Sequence, residues 1–126
     1  MKTFLFVVMS VILSVNAYAN SNWVHVATSQ NGTVFFIDNN SMQKSGDSIT
    51  YWESANYSQR DVYGTLSAKV QSTINCRTRE KIMRYSMYYD DINNTGKLTS
   101  NGDVKDSWTP IAPDSVVWSQ FVFVCK

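Results

Sequence analysis

The stretch GTLSAKVQSTINC, residues 64–76, decides the fold because apolar and polar side chains alternate along it. The apolar side, which Ser72 interrupts, consists of Leu66, Ala68, Val70, Ile74 and Cys76. The polar side consists of Thr65, Ser67, Lys69, Gln71, Thr73 and Asn75. A period of two with one apolar face is typical of a strand in an antiparallel sheet that is buried on one side. This strand therefore directs Cys76 toward the core of the domain.

Four more strands are predicted around this one. The chain is rich in Tyr, Trp, Val, Thr and Ser, which together favour strands over helices. Asn31 and Gly32 suit a tight hairpin turn between the first two of these strands. The four predicted strands cover residues 23–26, 33–37, 48–57 and 81–89.

The last of these strands also alternates, and the segment after it is polar. The side chains predicted to face the core are Met83, Tyr85, Met87 and Tyr89. Residues 90–107 contain few apolar side chains and are predicted to form a long loop. A small hairpin at Asn101 and Gly102 is an option within that loop.

The C-terminal segment carries signals for two structures. Pro113 suits the first turn of a helix, and Val117, Phe121 and Cys125 follow one another at intervals of four. The β-branched and aromatic content of the same segment favours a strand instead. Either element must cover the sheet if Cys125 is to reach Cys76, because bonded cysteines have Cα atoms within about 7 Å.

The first 19 residues are predicted to be a signal peptide. Lys2 precedes an apolar run over residues 4–15, and Ala17-Tyr18-Ala19 forms a small-x-small cleavage site. Residues 20–126 then form a single exported domain. In an oxidising compartment the only two cysteines, Cys76 and Cys125, are expected to form a disulfide, with two buried free thiols as the alternative.

Charge and motif content exclude several classes of protein. Lys2 is one of eleven basic residues, against ten acidic residues, so the mature chain has no formal net charge. A neutral chain is a poor general binder of nucleic acid. His25 is the only histidine, and neither a nucleophile motif nor a phosphate-binding loop is present. We therefore expect no enzyme, no cofactor and no metal site.

Two sets of residues are candidates for binding a protein. The first is a basic cluster of Arg77, Arg79, Lys81 and Arg84, whose alternative interpretation is a solvated hairpin. The second is aromatic, because a sheet with one covering helix leaves one face open. Trp52 and Tyr88 are candidates for that open face, and the alternative is that such rings fill the core.

The order of these signals matches a known pattern along most of the mature chain. The residues that carry it are Trp23, Val24, Asn31, Gly32, Thr33, Phe36, Ile37, Asp38, Ser41, Met42, Tyr51, Trp52, Ser67, Ala68, Lys69, Cys76, Arg79, Tyr88, Tyr89, Trp108, Pro110, Ile111, Pro113, Ser115, Val124, Cys125 and Lys126. In this order they resemble the surface-adhesin protein E family of Gram-negative bacteria. The resemblance implies an α+β fold, an antiparallel sheet of about six strands with one C-terminal helix tied to it by the disulfide. It also implies binding of host matrix or serum proteins such as laminin and vitronectin.

Location and assembly are predicted from smaller features. A lipid-anchored adhesin has a cysteine directly after its signal peptide, and this chain has Asn20 there. We therefore expect an exported protein that is free in the periplasm or secreted, unless it docks on a partner at the cell surface. The alternative function is a structural or assembly role in the envelope without a host ligand. A weak homodimer is also predicted, because Val116 and Phe123 point away from the apolar stripe of a C-terminal helix and an edge strand stays unpaired.

Overall fold

A computed structural model describes residues 20–126, and the predicted signal peptide lies outside them. The described chain forms one antiparallel sheet of eight strands and one C-terminal α-helix. The elements are β1 (Trp23–Thr28), β2 (Val34–Asp38), β3 (Gln43–Ser45), β4 (Ser48–Asn56), β5 (Ser67–Asn75), β6 (Glu80–Tyr89), β7 (Leu98–Asp103), β8 (Thr109–Pro110) and α1 (Val116–Val124). The α+β fold predicted from the sequence is therefore confirmed.

Six strands form the main path of the sheet, in the order β1-β2-β4-β5-β6-β7. The short strands β3 and β8 pair with β4 and β6 respectively. The longest ladder joins β4 to β5, from Ser48 opposite Asn75 to Asn56 opposite Ser67. Neighbouring strands are close in sequence, as expected for antiparallel strands joined by short turns.

The segment 90–107, predicted to be a long loop, contains strand β7. Asn101 and Gly102 lie inside this strand, opposite Met87 and Ser86 of β6, so they do not form a hairpin turn. All but one residue of the strand are exposed, and its side chains carry almost no apolar signal. Backbone pairing with β6 creates the strand, which is why side-chain patterning missed it.

Strand β5 has the two faces that its alternation predicts. Ile74 and Ser72 lie opposite Ile49 and Tyr51 of β4, on the side that carries the helix. The apolar centre of the domain lies on this side. It consists of Ile37, Tyr51, Ile74, Ile111 and Val124.

Strand β6 differs from its prediction because it contains a β-bulge. Gln71 of β5 lies opposite Tyr85, and the next residue, Ser72, lies opposite Met83. Arg84, between Met83 and Tyr85, therefore has no partner on β5 and is the extra residue of the bulge. A bulge moves all later side chains to the opposite face. Met83 stays on the helix side, whereas Tyr85, Met87 and Tyr89 lie on the other side, opposite alternate polar residues of β5.

The C-terminal segment is a helix, which settles the choice between helix and strand. Ser115 caps it by accepting a hydrogen bond from the N–H of Trp118 at 3.0 Å. Phe123 was predicted to point away from the core, but it packs against the core cluster. The exposed apolar residue of the helix is Val122 instead, at 53%.

The predicted disulfide joins the end of β5 to the end of the helix. Cys76 follows β5 directly, Cys125 follows α1 directly, and their Cα atoms are 5.7 Å apart. The bond encloses a segment with a sequence separation of 49 residues. It therefore fixes the free end of the helix on the sheet.

A buried polar network lies beneath the other half of the helix. Lys81 Nζ is 2.6 Å from Glu53 Oε2 and 2.7 Å from Gln120 Oε1. The Tyr51 hydroxyl donates to the same Gln120 oxygen at 2.9 Å, and Gln120 Nε2 donates to Glu53 Oε1 at 3.3 Å. Burial and the nearby Glu53 carboxylate raise the pKa of Tyr51 well above its ordinary value, so its hydroxyl remains a donor. One helical residue, Gln120, thus joins two strands of the sheet, β4 and β6.

Removal of the disulfide is expected to destabilise the protein strongly. In the chain-entropy model a closed loop of this size contributes about 4 kcal/mol. The double variant Cys76→Ser/Cys125→Ser should therefore unfold at a much lower urea concentration than the exported wild-type protein. Free thiols in the native wild-type protein, or an unchanged urea midpoint in the variant, would contradict this expectation.

The buried ion pair should be far more sensitive to truncation than an exposed one. Lys81→Met leaves Glu53 charged and buried, which is expected to cost about 3–5 kcal/mol of unfolding free energy. Arg77→Met is the matched control, because Arg77 pairs with Asp47 at 3.0 Å with both side chains exposed. Its expected cost is below about 1 kcal/mol. Urea unfolding of both variants tests this contrast, and equal costs would refute it.

Candidate protein-binding face

The face of the sheet opposite α1, called here the open face, carries the predicted contact residue Trp52. Trp52 of β4, Gln71 of β5 and Tyr85 of β6 lie directly opposite one another across three strands. The Trp52 and Tyr85 rings meet edge to face, with centroids 6.3 Å apart. Such cross-strand aromatic pairs stabilise the sheet and hold both rings in place.

A lysine lies between two tryptophans on the same face. Lys69 Nζ is 4.8 Å from the ring centroid of Trp52 and 5.9 Å from that of Trp23. All three side chains are half-buried. The two rings restrict the long lysine side chain, so its charge is held at a defined position on the surface.

A second cation and ring extend this surface beyond β6. The guanidinium of Arg84 is 5.7 Å from the ring centroid of Trp108, and Trp108 is 40% exposed. The Arg84 Nε also lies 3.5 Å from Thr73 Oγ1, which bonds Thr50 on the open face. We call the whole surface the aromatic–cationic row, defined as Trp23, Lys69, Trp52, Tyr85, Arg84 and Trp108.

The segment between β6 and β7 covers one end of the open face. Asn94 donates its N–H to Ser67 Oγ at 3.0 Å, and Ser54 Oγ donates to Asn94 Oδ1 at 3.1 Å. Asn56 Nδ2 donates to Asn93 Oδ1 at 2.8 Å. These bonds bury Ser54 and Ser67, and they leave the aromatic–cationic row uncovered.

The four predicted basic residues do not form one patch. Arg77 pairs with Asp47, and Arg79 lies over the rings of Trp118 and Phe121 on the helix, at 5.9 and 6.0 Å. Lys81 is buried in the network beneath the helix, with its side chain 11% exposed, and Arg84 joins the open face. The prediction of a single exposed cluster is therefore wrong. The turn before β6 and the alternation along it direct these side chains to different places.

The two predicted aromatic residues lie on opposite faces. Trp52 is on the open face, as predicted. Tyr88 lies opposite Ala68 of β5, and Ala68 lies opposite Ala55 of β4, so all three side chains are on the face of the sheet that carries the helix. The helix does not extend as far as Tyr88. Sequence reasoning missed Lys69 and Trp23 as neighbours of Trp52, although the polar side of β5 already contained Lys69. Tyr85 was also missed as a residue of the open face, because the bulge in β6 reverses the alternation of its side chains.

Other kinds of site have little support in the described chain. Within residues 20–126 no group of three metal-binding side chains comes together. His25 is exposed, and its Nε2 lies 2.9 Å from Thr28 Oγ1. None of the helices formed by this part of the chain has the length and apolar character needed to cross a membrane.

Comparison with known proteins identifies the class of this domain. The model of the surface-adhesin protein E family matches residues 23–126. The chain therefore belongs to the surface-adhesin protein E family. It is an adhesin-like surface protein, which implies an exported or surface location.

Solved structures of one relative share the fold. Haemophilus influenzae protein E superposes with a TM-score of 0.64 at 13% identity, over 82% of this chain and 83% of that chain. Its selenomethionine form gives 0.65 at 15% identity, over 80% and 84%. Protein E from non-typeable Haemophilus influenzae gives 0.64 at 14% identity, over 82% and 74%. Identity this low establishes the fold alone, and no curated protein matches the chain.

Proposed function

We propose that this protein is an exported adhesin-like module whose aromatic–cationic row binds a host matrix or serum protein, with laminin and vitronectin as the first ligands to test. The observation that carries the proposal is the row itself, in which two cations are held against three tryptophan rings and Tyr85 packs against one of these rings. Membership of an adhesin family supports binding as the activity.

The composition of the row suits contact with a protein surface. Trp, Tyr and Arg are the residues most often found at the centres of protein interfaces. Their rings are already packed against Lys69, Arg84 and one another, so binding immobilises few additional side chains.

The proposal requires the protein to reach the cell surface. Protease treatment of intact cells, followed by fractionation, separates surface protein from protein in the periplasm. Degradation on intact cells supports the adhesin function. Protein that is protected and found only in the periplasm contradicts it, and favours the structural or assembly role in the envelope.

Variants of the row should weaken ligand binding in two different ways. Trp52→Ala is expected to speed dissociation, because loss of a central aromatic contact costs about 2 kcal/mol or more. Arg84→Ala is expected mainly to slow association, and more so at low salt, because exposed charges steer the encounter. Surface plasmon resonance with immobilised vitronectin and laminin at two salt concentrations measures both rates.

Two controls separate binding from folding. Tyr88→Ala removes an aromatic ring from the opposite face and should leave both rates unchanged. Melting curves of all variants show whether Trp52→Ala binds weakly only because it unfolds. Wild-type surface protein that binds neither ligand at micromolar concentration, or equal losses in Tyr88→Ala and Trp52→Ala, would overturn the proposal.

We also propose a weak homodimer that forms through β7. This strand is at one edge of the sheet, and its sequence has neither the proline nor the lysine that often protects an edge. Sedimentation velocity across a concentration series should show a mass that rises toward that of a dimer. A monomer mass that stays constant up to high micromolar concentration contradicts this assembly.

A further inference from the structure

Two neighbouring cavities lie at the end of the sheet that α1 does not reach. The larger has a volume of about 890 Å³ and extends from the β1–β2 turn. The smaller has a volume of about 490 Å³ and extends to β7. Both are lined by Tyr57 and Asp61, so they adjoin at these two residues, and together they are called here the tyrosine groove. Each of the two volumes is in the range of small-molecule sites.

The lining of the tyrosine groove combines apolar and polar surface and carries almost no charge. Amide side chains such as Asn31 and Gln59 line the larger cavity, and hydroxyl groups such as that of Ser100 line the smaller one. Tyr63 and Tyr88 add aromatic rings. Among residues 20–126, no lysine, arginine or histidine lines either cavity, and Asp61 is the one carboxylate.

Asp61 builds the centre of the groove. Its Oδ1 accepts the backbone N–H groups of Tyr63 and Thr65, both at 2.9 Å. The N–H of Gly64 donates to the Asp61 carbonyl at 3.0 Å, which closes the turn. Tyr63 is therefore presented by a hydrogen-bonded turn although it is 83% exposed. A site held in this way needs little ordering when a ligand binds.

Tyr57 is the tyrosine at the junction of the two cavities. Partial burial of its ring is the main cause that raises the pKa of Tyr57 above its ordinary value, and the nearby Tyr88 and Asp61 raise it further. The phenol therefore keeps its proton at neutral pH, so it can donate as well as accept a hydrogen bond. The groove thus offers rings and neutral hydrogen-bonding groups side by side.

We propose that the tyrosine groove binds a neutral oligosaccharide. A sugar ring has an apolar C–H face that stacks on an aromatic ring, and hydroxyl groups at its rim that pair with amides, hydroxyls and a carboxylate. An anionic ligand would meet the Asp61 carboxylate, and none of the residues that line the two cavities is a cation that could offset the repulsion. A purely apolar ligand would leave the amides and hydroxyls of the lining without partners, at a cost for each of them.

This site is independent of the aromatic–cationic row. Tyr88 faces the helix side of the sheet, whereas Trp52 faces the opposite side. Binding of an oligosaccharide in the groove and binding of a protein on the open face can therefore fail separately. The matched variants are Tyr88→Ala in the groove and Tyr85→Ala in the row.

The test is a titration of the ¹⁵N-labelled exported protein with neutral trisaccharides, followed by NMR. Chitotriose, maltotriose and galactotriose are the neutral probes, a heparin hexasaccharide is the anionic probe, and an uncharged unstructured octapeptide is the peptide probe. At least one neutral trisaccharide should shift the amide signals of Tyr57, Asp61 and Ser100. Affinities of single weak sugar sites reach only about the millimolar range, so the titration extends to about 10 mM.

Variants assign the binding to the groove. Tyr88→Ala should weaken the affinity about tenfold, whereas Tyr85→Ala should leave it unchanged. Ser100→Ala removes one exposed hydroxyl at little risk to the fold, and it should weaken the affinity less than Tyr88→Ala does. The proposal is overturned if no neutral trisaccharide shifts these signals, if only the heparin fragment or the peptide does so, or if Tyr85→Ala loses as much affinity as Tyr88→Ala.

Discussion

The Cys76–Cys125 disulfide fixes a helix that is too short to cover its sheet. The helix has nine residues, which corresponds to a length of about 14 Å. With its last turn bonded to the end of β5, it can shield only one end of one face. The opposite face and the far end of the helix side therefore remain available. The aromatic–cationic row and the tyrosine groove occupy these two uncovered regions.

The disulfide and the buried network stabilise the helix in different ways. The disulfide acts mainly on the unfolded chain, whose freedom it reduces. Lys81 and Glu53 contribute little net stability as a pair, since both lose their hydration when buried. Their effect is on position, because Gln120 bonds both of them and only one placement of the helix satisfies all three groups. Such a network favours a single arrangement over near alternatives.

Local patterns predicted the parts of the fold that depend on them. The alternation in β5 identified its buried face. Pro113 and the four-residue spacing of Val117, Phe121 and Cys125 indicated the helix. The bulge at Arg84 has no such signal, because it arises from pairing with β5, and it reversed the predicted faces of Tyr85 and Met87. Lys81 was predicted to be exposed because a lysine usually is, and only the tertiary contact with Glu53 explains its burial. The surroundings of Trp52 also depend on tertiary contacts. The sequence therefore indicated Trp52 as a contact residue, but it did not indicate Trp23, on another strand, as its neighbour.

The central claim is that the face left bare by the disulfide-bound helix is the contact face for a protein. NMR mapping of the ¹⁵N-labelled protein during addition of vitronectin or laminin tests it most directly. Signals of Trp52, Lys69 and Tyr85, together with the indole N–H signals of Trp23 and Trp108, are expected to change or broaden first. Signals of α1 should stay unchanged. Changes confined to α1 and the rings beneath Arg79, with an unaffected open face, would show that the open face is not the contact face.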